Sequence, residues 1–296
     1  MGPFSKWSHR VTSAILTAAG LYLALLVLLW FAESHLIFFP GNQRILIPPA
    51  ARLGLQPERV AFTTDDGVQI VGWVMPAAQS ANGFWLLICH GNAGNLSEFE
   101  RPAHYAALRD VGLNLLAFDY RGYGESGGTA SEPGLYRDAD AGYRYLTEER
   151  GVPARRIILF GHSLGSAVAI DLAGRSPAAG LIVEGALTST VNRGQELYPF
   201  IPVRLLARSR FSSIDKVAGI RIPKLFLHAA RDEVIPVAHG RRLFQAAAEP
   251  KKFVELEGMH SDAFAVDSAR YFGSIADFLS SIRSSMPSSA THEGNK

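Results

Sequence analysis

The stretch Arg156-Ile157-Ile158-Leu159-Phe160-Gly161-His162-Ser163-Leu164-Gly165 constrains the fold more than any other part of the chain. Its run of four apolar residues reads as a buried strand. Gly-x-Ser-x-Gly follows at once, and Ser166-Ala167-Val168-Ala169-Ile170-Asp171-Leu172-Ala173-Gly174 then reads as a helix with a small-residue packing face. A strand that reverses into a helix this quickly forces Ser163 into a strained backbone conformation. The positions two before and two after the serine are expected to crowd each other, which is why both are glycine, Gly161 and Gly165. The turn lifts the Ser163 hydroxyl clear of the backbone at a helix N-terminus, where unpaired N–H groups and the helix dipole favour negative charge. A flexible loop after a strand is the plain alternative, and the strand before and helix after argue against it.

The remaining chain supplies a sheet to carry this turn. Arg59-Val60-Ala61-Phe62-Thr63-Thr64 and Val68-Gln69-Ile70-Val71-Gly72-Trp73-Val74, joined by Asp65-Asp66-Gly67, read as a hairpin. Apolar strands follow over 83–91, 113–118, 180–184, 222–228 and 252–256, with helices expected over 97–110, 136–149, 238–248 and 263–281. Strands alternating with helices after a hairpin predict an α/β domain, over residues 58–283, whose sheet is mostly parallel and covered on both faces. In such sheets the chemistry gathers at the carboxyl ends of the strands.

A serine hydroxyl is a weak nucleophile and needs an adjacent base, itself oriented by an acid. Behind the last strand lies Gly258-Met259-His260-Ser261-Asp262, and behind the one before it Arg231-Asp232-Glu233-Val234. His260 is the candidate base and Asp232 the candidate acid, in the chain order serine, acid, histidine. Glu233, beside Asp232, and Glu184, ending an earlier strand, are the competing acids. Of the nine histidines, His9, His35, His104, His239 and His292 read as surface or connector residues. His228 reads as a packed neighbour, and His162 as too close to the serine to fold back onto it. An oxyanion at the reacting carbonyl needs two donors. Leu164 N–H is one candidate, and Asn92 N–H, in the loop His90-Gly91-Asn92-Ala93-Gly94-Asn95, is the other. That loop lacks the Lys-Ser/Thr of a phosphate-binding turn. Asn95-Leu96-Ser97 is formally a glycosylation sequon, and its place beside the oxyanion loop argues against modification.

The net charge of +2 and the absence of any basic run leave no footprint for nucleic acid. The single cysteine, Cys89, permits no internal disulfide and no cysteine-based metal site, and the serine chemistry calls for no cofactor or metal. Residues 11–32 carry no charge. As a helix they rise roughly 33 Å, against a hydrocarbon core of about 30 Å. Trp7 and Trp30-Phe31 fall near the two ends, where interfacial aromatics belong. A cleaved signal would have a shorter apolar stretch and small residues at the cut, so an uncleaved membrane anchor is expected. Lys6 and Arg10 precede the span and Arg44 is the first basic residue after it, which predicts a cytoplasmic N-terminus (1–10) and a domain on the other side, periplasmic or lumenal. A Pro-rich connector (33–57) follows the anchor, and the polar tail (284–296) is expected to be disordered.

In several motifs the chain resembles the α/β-hydrolase superfamily over residues 58–283. More narrowly, it resembles the single-pass membrane-anchored branch that includes mammalian protein depalmitoylases and fungal polarity proteins. The matching residues are Phe38-Phe39-Pro40, His90-Gly91-Asn92-Ala93-Gly94-Asn95, Asp119-Tyr120-Arg121-Gly122-Tyr123-Gly124-Glu125-Ser126, Gly161-His162-Ser163-Leu164-Gly165, Asp232-Glu233-Val234-Ile235-Pro236 and Gly258-Met259-His260-Ser261-Asp262. The resemblance implies an eight-stranded sheet with a small cap and a triad on the positions of Ser163, Asp232 and His260. It further implies hydrolysis of acyl esters or thioesters. The depalmitoylases reach membranes through an acylated Cys-rich N-terminus, which this chain replaces with its apolar span. A peptidase would share every one of these residues, and a non-catalytic binding module could share the fold. Between the strands at 180–184 and 222–228 lies an insert of about thirty residues, long for a loop in such a domain. Its cap portion, 188–219, mixes Leu197, Tyr198, Phe200, Ile201, Val203, Leu205, Leu206 and Phe211 with Arg193, Arg204, Arg208 and Arg210. It reads either as a packed cap or as a lid forming an apolar acyl slot with a basic rim.

Overall fold

In the computed structural model, which describes residues 3–41, 53–78, 83–98 and 100–286, the apolar runs pair into one sheet. Its strands are β1 (Glu58–Thr63), β2 (Gln69–Met75), β3 (Trp85–Cys89), β4 (Asn114–Phe118), β5 (Ile157–His162), β6 (Gly180–Glu184), β7 (Lys224–Ala229) and β8 (Lys251–Leu256). They lie in the order β1-β2-β4-β3-β5-β6-β7-β8. β2 pairs antiparallel with β1 and β4, and every other pairing is parallel. The alternation of side chains along β5 feeds two cores. Ile158 and Phe160 join Leu86, Ile88 and Leu225 on one face, while Ile157 and Leu159 join Leu87, Leu116 and Phe226 on the other. Burial on both faces is what a parallel sheet between helices requires, and it explains the unbroken apolar runs.

The helices are α1 (Pro3–Ile37), α2 (Arg101–Asp110), α3 (Glu132–Arg144), α4 (Leu164–Ala173), α5 (Thr190–Leu197), α6 (Val203–Leu206), α7 (Ser213–Lys216), α8 (Val237–Ala246), α9 (Ala263–Val266) and α10 (Ser268–Ser285). Several boundaries differ from expectation for local reasons. α2 starts at Arg101 rather than 97, because Ser97 is held in a turn by Asn95 Oδ1 and Pro102 suits a first helical turn. α3 starts at Glu132, capped by Ser131 Oγ accepting from Gly134 N at 3.2 Å, and its end widens into a π-helical turn over Tyr145–Glu149. The helix expected over 263–281 breaks at Asp267, whose carboxylate accepts from Glu257 N.

α1 contains the whole of the expected span. It is the one helix among the described residues long and apolar enough to cross a membrane, with a mean hydropathy of 2.3. Its end is not a free tether. Phe38 is buried, and Phe39 forms a parallel bridge with Ala93 in the loop after β3. Residues 42–52 of the expected connector and 287–296 of the expected tail lie outside the described residues.

Candidate active site

β5 delivers Ser163 to the carboxyl edge of the sheet, and α4 starts on the next residue. Ser163 has φ 54° and ψ −123°, a conformation disfavoured for a residue with a side chain, and its N–H is tied to Glu184 O at 2.9 Å. A side chain on Gly161 would run into the backbone of Gly165 and Ser166, as the crowding argument expects. Gly165 is glycine for a different reason: a side chain there would collide with the Cys89 and His90 carbonyls at the end of β3. The turn is therefore gripped by the neighbouring strand as well as by itself.

Ser163, His260 and Asp232, from three separate strand ends, meet in a continuous hydrogen-bonded chain. Ser163 Oγ lies 2.9 Å from His260 Nε2, and His260 Nδ1 lies 2.8 Å from Asp232 Oδ2. All three are buried. Asp232 Oδ1 accepts from Val234 N at 3.0 Å and Ile235 N at 2.7 Å. Burial pushes the Asp232 carboxyl up, but hydrogen bonds with His228 and His260 outweigh it and hold the group well below the ordinary carboxylate range. An ionised Asp232 fixes the proton of His260 on Nδ1 and leaves Nε2 free to accept from the serine.

The competing acids have other partners. Glu233 Oε2 accepts from the His260 backbone N at 3.1 Å, which braces the loop rather than the ring. Glu184 Oε2 accepts from Tyr271 Oη at 2.9 Å, and His104 Nε2 lies 2.9 Å from the same hydroxyl. Burial raises the Glu184 carboxyl to about 7. Gly185, at φ +55°, follows it, and a side chain there would press on the His260 ring.

The His162 ring bonds to the backbone of His260 rather than to Ser163, in keeping with its sequence reading: its Nε2–H donates to His260 O at 3.1 Å, with ring centroids 5.0 Å apart. Burial, and then the neighbouring His260, push its ring down to about 3, so it stays neutral. His104, expected at the surface, stacks on Phe264, and desolvation lowers it to about 3 as well. His239 is fully buried between Thr188 and Glu196, both contributed by the insert region. His228 is buried beside Asp232, as a packed neighbour should be. His9 and His35 are exposed, and His292 lies outside the described residues. No local sequence signal distinguishes His162 or His104, since each is placed by contacts far along the chain.

The loop after β3 is held from three sides. Asn92 O accepts from Tyr123 Oη at 2.8 Å and from Phe39 N at 2.9 Å, while Asn92 Nδ2 donates to Ile37 O at 2.8 Å. Tyr120 Oη donates to His90 O at 3.0 Å, and Asp119 Oδ1 accepts from Leu96 N at 3.0 Å. The Asp119–Ser126 motif and Phe38-Phe39-Pro40 thus act together as the frame of this loop. Asn95 is fully buried, which closes its sequon to modification. Leu164 N–H lies in the first turn of α4, where no intrahelical acceptor exists.

Two cavities flank Ser163 and share Asn92. One, of about 460 Å³, is apolar and is lined by Trp30, Ile37, Leu164, Leu187, Leu197 and Ile201 among others. The other, of about 280 Å³, sets Arg101, His104, His162 and Glu184 among apolar residues such as Ile88, Phe160 and Phe264. A carbonyl held at Ser163 would have a cavity on each side, with charged and imidazole groups concentrated in the smaller one. Among the described residues no cluster of His, Cys, Asp and Glu is arranged to hold a metal.

The sequence profile of the alpha/beta hydrolase family matches residues 86–284. An uncharacterized protein of Mycobacterium tuberculosis is 35% identical over 270 residues, covering 91% of this chain and 93% of its own. Alpha/beta hydrolase domain-containing protein 17B of Xenopus laevis is 34% identical over 185 residues, covering 60% of this chain and 61% of its own. An esterase from Pyrococcus furiosus shares the fold, with a TM-score of 0.66 at 19% identity, over 83% of this chain and 98% of its own. With its eight-stranded, mostly parallel sheet and its serine turn, the chain belongs to the alpha/beta hydrolase family.

Proposed function

We propose that the protein is a membrane-anchored serine hydrolase cleaving carboxylic esters or thioesters of acyl groups. The observation that carries the reading is the unbroken Ser163–His260–Asp232 chain, at 2.9 Å and 2.8 Å, on a strained strand-to-helix turn. The esterase likeness in fold agrees with it. Ser163 Oγ attacks the acyl carbonyl as its proton passes to His260 Nε2. The N–H groups of Asn92 and Leu164 take the oxyanion. The intermediate collapses, the bond to the leaving alcohol or thiol breaks, and His260 returns the proton to it. Water then attacks the acyl-enzyme, giving a proton to His260, and the carboxylic acid leaves as Ser163 is reprotonated.

In this reading residues 11–32 span the bilayer, 1–10 stay in the cytoplasm, and 33–57 connect to the hydrolase domain of 58–283. Lys6 and Arg10 ahead of the span favour that orientation, with the domain in the periplasm or a lumen. The test is a series of p-nitrophenyl esters from acetyl to octanoyl, with an aminoacyl anilide beside them. A burst of nitrophenol equal to the enzyme concentration, and a specificity constant that rises with acyl length, are the expected results. Cleavage of the anilide faster than any ester would replace the esterase reading with a peptidase.

A further inference from the structure

The apolar helix and the insert between β6 and β7 are built into each other. Tyr22 Oη donates to Phe200 O at 2.7 Å. The Arg208 guanidinium lies over the Trp30 ring, 4.6 Å from its centroid. Glu33 accepts from Arg208 N at 2.7 Å and Ser209 N at 2.9 Å, and pairs with Arg208 Nε at 2.8 Å. Phe38 meets Phe211 edge-on at 6.1 Å, and Phe211 itself is buried at φ 40°. From Tyr22 to Glu33 the helix rises roughly 16 Å, so the insert follows it for about half the depth of a hydrocarbon core.

The apolar cavity at Ser163 lies in this seam. Leu29, Trp30 and Leu36 of α1 wall it on one side, and Leu197, Ile201 and Leu206 of the insert on the other. Phe200 and Leu205 are not part of that lining. They point outward, 88% and 86% exposed, on an insert that runs beside a helix whose own Leu21 and Leu28 are also exposed. Arg204, Arg208 and Arg210 are exposed on the same insert, and Arg208 lies level with Trp30 and Glu33 near the end of the apolar span. Apolar groups beside a spanning helix, with arginines toward its end, are the pattern of a segment seated in one leaflet. The opposite cavity, of about 280 Å³, has room for a small alcohol, and Arg101, His104, His162 and Glu184 give its otherwise apolar wall hydrogen-bonding groups.

From this geometry we infer that α1 is a wall of the acyl site and that the tip of the insert sits in the bilayer beside it. The substrate is a membrane lipid ester of a small polar alcohol, whose acyl chain moves sideways from the leaflet along the seam to Ser163. The inference rests on the serine-hydrolase reading and adds the route and the substrate class.

The test uses the full chain in nanodiscs of phosphatidylcholine and phosphatidylglycerol carrying 1-monooleoylglycerol, with soluble p-nitrophenyl butyrate as reference. The pair Phe200→Asp and Leu205→Asp should lower monooleoylglycerol cleavage at least tenfold and leave butyrate cleavage within twofold. Leu29→Trp, which narrows the seam, should lower the ratio of oleoyl to butyryl turnover at least tenfold. A readout independent of turnover comes from Phe200→Cys carrying a nitrobenzoxadiazole label, since Cys89 is buried. Its emission should be quenched by phosphatidylcholine brominated in the acyl chains. Water-like, unquenched emission, or an unchanged oleoyl-to-butyryl ratio in Leu29→Trp, would overturn the inference while soluble esters were still cleaved. Faster cleavage of an S-palmitoylated peptide than of monooleoylglycerol would overturn the choice of alcohol. If no ester at all is cleaved although the label is quenched, the hydrolase reading fails instead, and the substrate route with it.

Discussion

Ser163 holds a backbone state that costs a residue with a side chain roughly 1–3 kcal/mol. Ser163→Gly should therefore melt above Ser163→Ala by about 1 kcal/mol in denaturant titrations, with both inactive. Equal stabilities would mean the turn is relaxed. Asp232→Asn should lower kcat on the order of 10⁴-fold through loss of the His260 tautomer. Glu184→Gln should cost little activity, because the Glu184 carboxyl is bonded to Tyr271. Its effect belongs to stability. The folded Glu184 titrates near 7, above its ordinary value of 4.5, so its neutral form is the one folding favours. That contribution is fully present below pH 4.5 and is lost as pH rises toward 7 and beyond. Melting temperatures from pH 5 to 8 should fall more steeply for the wild type than for Glu184→Gln, and parallel curves would contradict the assignment. The meeting of Ser163, His260 and Asp232 is legible in the sequence because each sits just past a strand end in a fixed chain order. His162, His104 and His239 are not, because their partners are His260, Tyr271 and Glu196, each more than forty positions away in the chain.

Elements were legible where a short-range rule sets them. The strands follow from unbroken apolar runs, and the Asp-Gly turn closes the β1–β2 hairpin as read. Helix limits moved where a single side chain decides them, as Ser131 does for α3 and Asp267 for the break before α10. The insert was legible as an apolar stretch interrupted by arginines, but its partner was not. α1 reads as an anchor by composition, and nothing local shows that Glu33 would hold the Arg208 and Ser209 N–H groups. Glu33→Ala should raise amide exchange at Arg208 and Ser209 about tenfold, the loss of charge-assisted bonds worth roughly 1.5–3 kcal/mol softened by local fraying. Unchanged exchange would mean the insert is held without α1. Asn92→Ala keeps the backbone N–H and removes only the bond to Ile37 O. It should lower kcat about tenfold with little change in KM, as expected when a preorganised oxyanion donor is loosened rather than removed. A KM effect of the same size would make Asn92 a binding residue instead.

At the scale of the molecule, the sheet brings residues from the two ends of the chain to one edge. The loop after β3, the turn after β5 and the loops after β7 and β8 meet there, and the end of α1 closes the same site through Ile37 and Phe39. That arrangement leaves a cavity on each side of Ser163, one against α1 and the insert, the other against α2 and Glu184. All of it depends on Ser163 being the nucleophile. The most direct measurement is peptide mapping by mass spectrometry after the full chain is treated with a fluorophosphonate. One adduct is expected, on Ser163, absent in Ser163→Ala and at least a hundredfold slower to form in His260→Ala, with ester hydrolysis lost in step, as for a serine that depends on an adjacent base. An adduct on another residue, or ester hydrolysis undiminished in folded Ser163→Ala, would contradict that role for Ser163.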